Sequence, residues 1–225
     1  MNPLNRYSFA VALALGLCAA GKSSAQPDAL KRELDGVPGF KVNTPSSDEC
    51  IVFMEGPELS VARMKKIATF RGITNVFLTG KNVNDDILAE AAKIKGLKGI
   101  SVLNGDISDL GVKHLSNCVT LESVALPKAL ITDTGVITLA KLPRLTRIDF
   151  VNAKQVTDLS IKELTAKCAF LKDLNLIRTG ITDLALKDME KLQNLREVMI
   201  YDTNTTKEQV AALKKAKPSA SILGP

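Results

Sequence analysis

The stretch Leu121 to Val136, LESVALPKALITDTGV, decides the fold. Leu121, Val124 and Leu126 place apolar side chains three and then two residues apart. The step of two puts Val124 and Leu126 on one face of a short strand and turns Ala125 and Pro127 to the other. Thr132 and Asp133 follow as a helix-start signal: the hydroxyl caps the first helical amides, and the carboxylate meets the positive end of the helix dipole. Val136, Leu139 and Leu142 continue at helical spacing. A strand, a turn and a helix within 24 residues cannot bury their own apolar face.

The same pattern runs outward in both directions. Cuts every 24 residues from Asp48 give Asp48–Arg71, Gly72–Lys95, Gly96–Val119 and Thr120–Pro143; Arg144–Ala169 has 26 residues, Phe170–Gln193 returns to 24, and Asn194 opens a last unit. The second position reads Ile73, Leu97, Leu121, Leu145, Leu171 and Leu195. The fifth reads Val76, Ile100, Val124, Ile148, Leu174 and Val198, and the seventh Leu78, Val102, Leu126, Phe150, Leu176 and Ile200. Helix starts recur at Asn84-Asp85, Ser108-Asp109, Thr157-Asp158 and Thr182-Asp183. Units of this kind bury their cores by stacking, which predicts an α/β solenoid with parallel strands on one side and helices on the other.

The repeat domain then covers residues 48–225 in six to seven units, the last one capping, with Thr206-Lys207 in place of the Thr-Asp pair and a lysine-rich helix before Pro218. Residues 26–47 read as an N-terminal cap: a short amphipathic helix over Pro27 to Asp35, then an irregular stretch, Gly36 to Ser47, broken by Pro38 and Pro45. The two extra residues of the fifth unit fall near Ala153 to Gln155, in the strand-to-helix turn. Residues 1–25 read as a signal peptide, with Arg6 before an uncharged run from Tyr7 to Ala20 and small residues Ser23-Ser24-Ala25 at the cleavage position. The run is shorter than the roughly 20 apolar residues of a membrane span. Lipidation at Cys18 stands as a minor alternative, set against a bulky Leu17 before the cysteine. Loss of Arg6 and Lys22 lowers the net charge of +6 to +4, too weak a balance to argue for nucleic acid.

These residues resemble the leucine-rich repeat family, of a secreted bacterial type. The stretches Ile131 to Val136 and Ile181-Thr182-Asp183 look like its cysteine-containing, ribonuclease-inhibitor-like branch, as do Cys118 and Cys168 late in their helices. The other units place Ile94, Leu142 and Leu192 there. The resemblance implies a curved solenoid with its parallel sheet on the concave side, short helices on the convex side and a recognition surface on the strand face. It implies no catalytic residues.

Chemistry is sparse. The aspartate column offers one carboxylate per loop, whereas calcium wants several oxygens from one. Cys50, Cys118 and Cys168 are an odd set; two units separate the last two, so buried free thiols are expected. His114, the one histidine, precedes Cys118 by one helical turn with no third group to orient a dyad. No phosphate loop, metal spacing or G-x-S-x-G is present, so no catalytic, cofactor or metal residues are assigned. Alternation turns the sixth and eighth strand positions away from the core. There Phe77, Leu103, Val151, Ile177, Met199 and Tyr201, flanked by Arg147 and Arg178, form an apolar centre with a charged rim. The expectation is an exported, non-enzymatic scaffold, periplasmic or secreted, binding a protein or peptide on the concave strand face and meeting the membrane only through its signal peptide. A structural or assembly component of the cell envelope is the alternative.

Overall fold

The structure, a computed structural model, describes residues 26–46 and 49–225. The expected signal peptide, its cleavage site and Cys18 lie outside the described residues, as do Ser47 and Asp48. Among the described residues, helix α1 (Gln26–Leu34) and strand β1 (Phe40–Ser46) precede a regular series. That series runs β2 (Glu49–Glu55), α2 (Val61–Ile67), β3 (Asn75–Thr79), α3 (Asp85–Ala91), β4 (Gly99–Leu103), α4 (Asp109–Leu115), β5 (Ser123–Ala125) and α5 (Asp133–Leu139). It continues through β6 (Arg147–Asp149), α6 (Asp158–Lys167), β7 (Asp173–Asn175), α7 (Asp183–Met189), β8 (Glu197–Met199), α8 (Lys207–Ala216) and β9 (Ser221–Leu223). The strands form one sheet in chain order, parallel from β2 to β9. Stacked strand–helix units thus form an α/β solenoid, the architecture that the resemblance to leucine-rich repeats implies. Strands sit about 4.8 Å apart and packed helices about 8–10 Å, so the stack bends with the sheet inside.

The fifth and seventh positions are the core: Val76, Leu78, Val124, Leu126, Ile148, Phe150 and Leu176 are completely buried, and Leu174 nearly so. From the other side Val136, Leu139, Leu186 and Met189 close onto them.

The helix-start pair does more than cap its own helix. Each aspartate carboxylate reaches the next unit and accepts two bonds from the residue that opens the helix there. The backbone N–H donors are Ser108 to Asp85 (2.9 Å), Thr132 to Asp109 (2.9 Å), Thr157 to Asp133 (2.8 Å), Thr182 to Asp158 (2.7 Å) and Thr206 to Asp183 (2.7 Å). The hydroxyls of the same residues donate to the other carboxylate oxygen. Each hydroxyl in turn accepts an amide of its own first turn, from Leu110, Thr134, Leu159, Leu184 or Gln209. A relay therefore runs from carboxylate to hydroxyl to helix N-terminus, satisfying amides that would otherwise lack a partner. At Gly111 and Gly135 any Cβ would collide with the preceding carboxylate, so glycine permits the approach. Where Ser160 stands instead, its hydroxyl donates to Asp133.

Two local expectations change. The stretch Gly36 to Ser47, expected to be irregular, contains β1, which pairs antiparallel with β2 from Phe40 opposite Met54 to Asn43 opposite Ile51. Pro45 is tolerated because β1 is an edge strand and its register shifts between Asn43 and Ser46, where a missing amide breaks no regular ladder. Arg63 of α2 stacks over Phe40 at 5.4 Å, and Lys66 pairs with Glu33 of α1 at 2.5 Å, tying this end together. The two extra residues of the fifth unit do not both lie in the turn. The aspartate-to-threonine link spans 24 residues from Asp133 and 23 from Asp109, which puts one extra residue before the helix. The other falls after the start of α6, whose last turn continues as helix to give 10 residues against 7 in α5, because a helix end absorbs an insertion that the strand ladder cannot.

Burial alone would raise the Asp133 carboxyl, but the bonds from Ser160 and Thr157 outweigh it and hold the group below its ordinary value of 3.8. A carboxyl that binds protons less tightly folded than unfolded stabilises the fold above its unfolded value and loses that contribution as pH falls through the folded one. Asp133→Ala is expected to lower stability near pH 7 by about 1.5–3 kcal/mol in urea denaturation, the worth of a charge-assisted link. The gap from the parent should narrow as pH drops below about 4.

Candidate interaction surface

Register sets the concave face as rows that cross the strands. One row runs Asn75, Gly99, Ser123, Arg147, Asp173, Glu197, and the next Phe77, Ser101, Ala125, Asp149, Asn175, Met199. The chemistry changes along the axis. At the N-terminal end Phe53 and Phe77, both half-buried, stack with ring centroids 4.8 Å apart. The middle is small, with Gly99, Ser101, Ser123 and Ala125. The C-terminal half is polar: Arg147 donates from Nε (3.0 Å) and Nη2 (2.6 Å) to Asp173, and Asn175 donates to Asp149 (2.9 Å). Arg178 pairs with Asp202 at 2.9 Å. Both expected rim cations, Arg147 and Arg178, are thus held by carboxylates of the following unit.

Of the remaining expected residues, Phe77, Leu103 and Met199 are half-buried, and Tyr201 is 44% exposed. Val151 and Ile177 are not an exposed stripe: they retain 7% and 2% exposure. The parallel ladder runs past the short strands, with the amides of Lys128, Asn152 and Arg178 bonding the carbonyls of Val151, Ile177 and Tyr201. This packs the eighth-position side chains at ladder spacing, where neighbours on both sides shelter each other, while Tyr201 lies near the end of the stack. The next residues, Asn104, Lys128, Asn152, Arg178 and Asp202, adopt φ between 56° and 66° and turn the chain out of the sheet. Two of them, Lys128 and Arg178, are neither glycine, asparagine nor aspartate, and each such residue costs about 1–2 kcal/mol that the ladder bond offsets.

A different set of large apolar side chains is exposed: Leu110 (69%), Leu159 (53%) and Leu184 (61%). Each is the second residue of its helix, directly after the linking aspartate, so they line the helix-start edge of the solenoid. Leu130 is exposed on the turn beside Ser108. The leucine that follows the aspartate in three of the repeats, at 110, 159 and 184, carried this signal, which reading for the core passes over.

Among the described residues Cys50, Cys118 and Cys168 are buried and unpaired. Cys118 and Cys168 donate their thiols to Ala92 and Ala140, the residues that end the preceding helices α3 and α5. Burial raises all three thiols, and Cys168 is pushed up to about 11. His114 is exposed, and no hydrogen bond among the described residues joins it to Cys118. Among the described residues no cluster of His, Cys, Asp or Glu is placed to hold a metal, and no helix is long and apolar enough to cross a membrane.

No protein-family model and no curated protein matches the chain. Among solved structures, an internalin of Listeria monocytogenes is similar at 17% identity and a TM-score of 0.48, over 71% of this chain and 49% of that one. The chain thus spans about half the length of that relative.

Ile177→Asp is expected to lower stability by about 2 kcal/mol or more, as a buried unpaired charge does, while Tyr201→Ala stays within about 0.5 kcal/mol, both read by denaturant titration. Iodoacetamide at about pH 8 should leave all three thiols unmodified in the folded chain and alkylate them readily in denaturant. Fast native labelling at Cys168 would contradict its burial.

Proposed function

We propose that the chain is an exported, non-enzymatic recognition scaffold that binds a protein or peptide on its concave strand face. The observation that carries this reading is preorganisation without packing duty. The Phe53–Phe77 stack, the Asp149–Asn175 bond and the Arg147–Asp173 pair lie outside the core, yet bonds or ring contacts between strands hold each in one arrangement. Side chains already fixed lose little freedom on association, which favours binding. Export, to the periplasm or beyond the cell, rests on the leader-like composition of residues 1–25. Cys118 and Cys168, each bonded to the end of the preceding helix, speak for the cysteine-containing repeat subclass.

The exposed leucines of the helix-start edge favour a second reading, an assembly component of the cell envelope that packs through Leu110, Leu159 and Leu184.

Photo-reactive residues placed singly at Tyr201, at Leu184 and at exposed Lys187 separate the two in the native extract. The concave-face reading expects one discrete protein adduct from Tyr201 alone. An adduct from Leu184 alone transfers the function to the edge, and adducts from none or equally from all three overturn the first reading.

A further inference from the structure

We propose that the polar C-terminal half of the concave face holds a subsite for a basic side chain of a partner peptide, received by the Asp149 carboxylate and the amide oxygen of Asn175; this rests on the concave-face reading above. Asp149 is held by the Val151 amide (3.2 Å) on one oxygen and by Asn175 Nδ2 (2.9 Å) on the other. Neither bond neutralises it. The cation whose field acts on it, Arg147, has both Nε and Nη2 on Asp173. Burial accordingly raises the Asp149 carboxyl, against the opposing pull of Val151, Asn175 and Arg147.

Asn175 supplies the second, independent observation. Only 5% exposed, it is pinned through Nδ2 to Asp149, which orients its Oδ1, and that oxygen is buried without any partner. A buried acceptor left unbonded carries a desolvation penalty that native proteins relieve. An amide oxygen without a donor, next to a carboxylate whose two donors are both neutral, matches a group with several N–H bonds and a positive charge: a guanidinium or an ammonium. An acidic side chain would meet repulsion there, and an apolar one would leave Oδ1 unbonded.

The neighbouring rows define the rest of the peptide. Phe77, Ser101, Ala125 and Asp149 stand in consecutive register, three ladder steps or roughly 14 Å from ring to carboxylate. The small residues between them leave a low floor, and Ser101 Oγ, also buried and unpartnered, lies on the path where a peptide backbone would bond it. An extended chain covers that distance in about four residues. The partner segment therefore carries Lys or Arg about four positions from an aromatic or large aliphatic residue that seats against Phe77.

The test is selection of a displayed random-peptide library on the purified chain, followed by binding measurements on synthetic copies of the selected peptides. Selected peptides should share the basic residue and the apolar residue at that spacing. Exchange of the basic residue for Gln should weaken binding at least about tenfold, a readout that needs no protein variant. Asp149→Asn, checked for unchanged thermal unfolding, should lose a similar factor and cease to discriminate Lys from Gln. Peptides without a basic residue whose binding falls with Tyr201→Ala but not with Asp149→Asn overturn the subsite and leave the concave-face reading standing. Peptides indifferent to both variants overturn both, and an empty selection overturns the peptide subsite.

Discussion

Everything in this molecule depends on the carboxylate that opens one helix and binds the start of the next. A unit of 24 residues has too little apolar surface to close on itself, and a short helix begins with amides that have no partner within it. The links from Asp85, Asp109, Asp133, Asp158 and Asp183 meet both needs, since each fixes the neighbour's position and satisfies its first amide. The carboxylates also fix which residues can follow. Glycine stands where the approach leaves no room for Cβ, at 111 and 135, and at 160 a serine hydroxyl joins the link instead. Helix ends are tied in the same direction, by the thiols of Cys118 and Cys168 on the carbonyls of Ala92 and Ala140. Stability in such a stack is a sum of neighbour terms, so these repeated contacts set cooperativity along the whole axis.

Once the stack is fixed, the concave face is a grid whose chemistry is written one unit at a time. The ladder places Phe77, Ser101, Ala125, Asp149, Asn175 and Met199 in a line, and no contact between distant units is needed to align them. Aromatic, small and polar stretches follow each other along the row because single positions differ between otherwise matching repeats. The two arginines of this face are held by Asp173 and Asp202, which leaves the Asp149 region short of positive charge. The chain thereby combines a rigid, repetitive core with a surface free to vary.

The core is legible in the amino-acid sequence because burial at the fifth and seventh positions leaves an alternation that recurs at one period. The helix starts are legible from their Asn, Ser or Thr followed by Asp. The destination of each carboxylate is not, since local capping rules assign the aspartate to its own helix and only stacking brings the next unit within reach. Strand β1 is hidden by Pro45, which looks like a breaker until the strand is known to lie at an edge. The eighth-position residues Val151 and Ile177 alternate like surface residues, yet their register neighbours leave them almost no exposure.

The amino-acid sequence by itself determined the repeat, its length, the strand and helix in each unit and the residues of the core, because these follow from periodicities of two and of about 3.6 within one short segment. Tertiary structure alone decided what lies between units: the carboxylate links, the pairing of Arg147 with Asp173, the orphaned oxygen of Asn175 and the exposed leucines at 110, 159 and 184. The links and pairings join side chains 23 to 26 residues apart. Their geometry is set by the spacing and register of stacked units, which no single segment encodes.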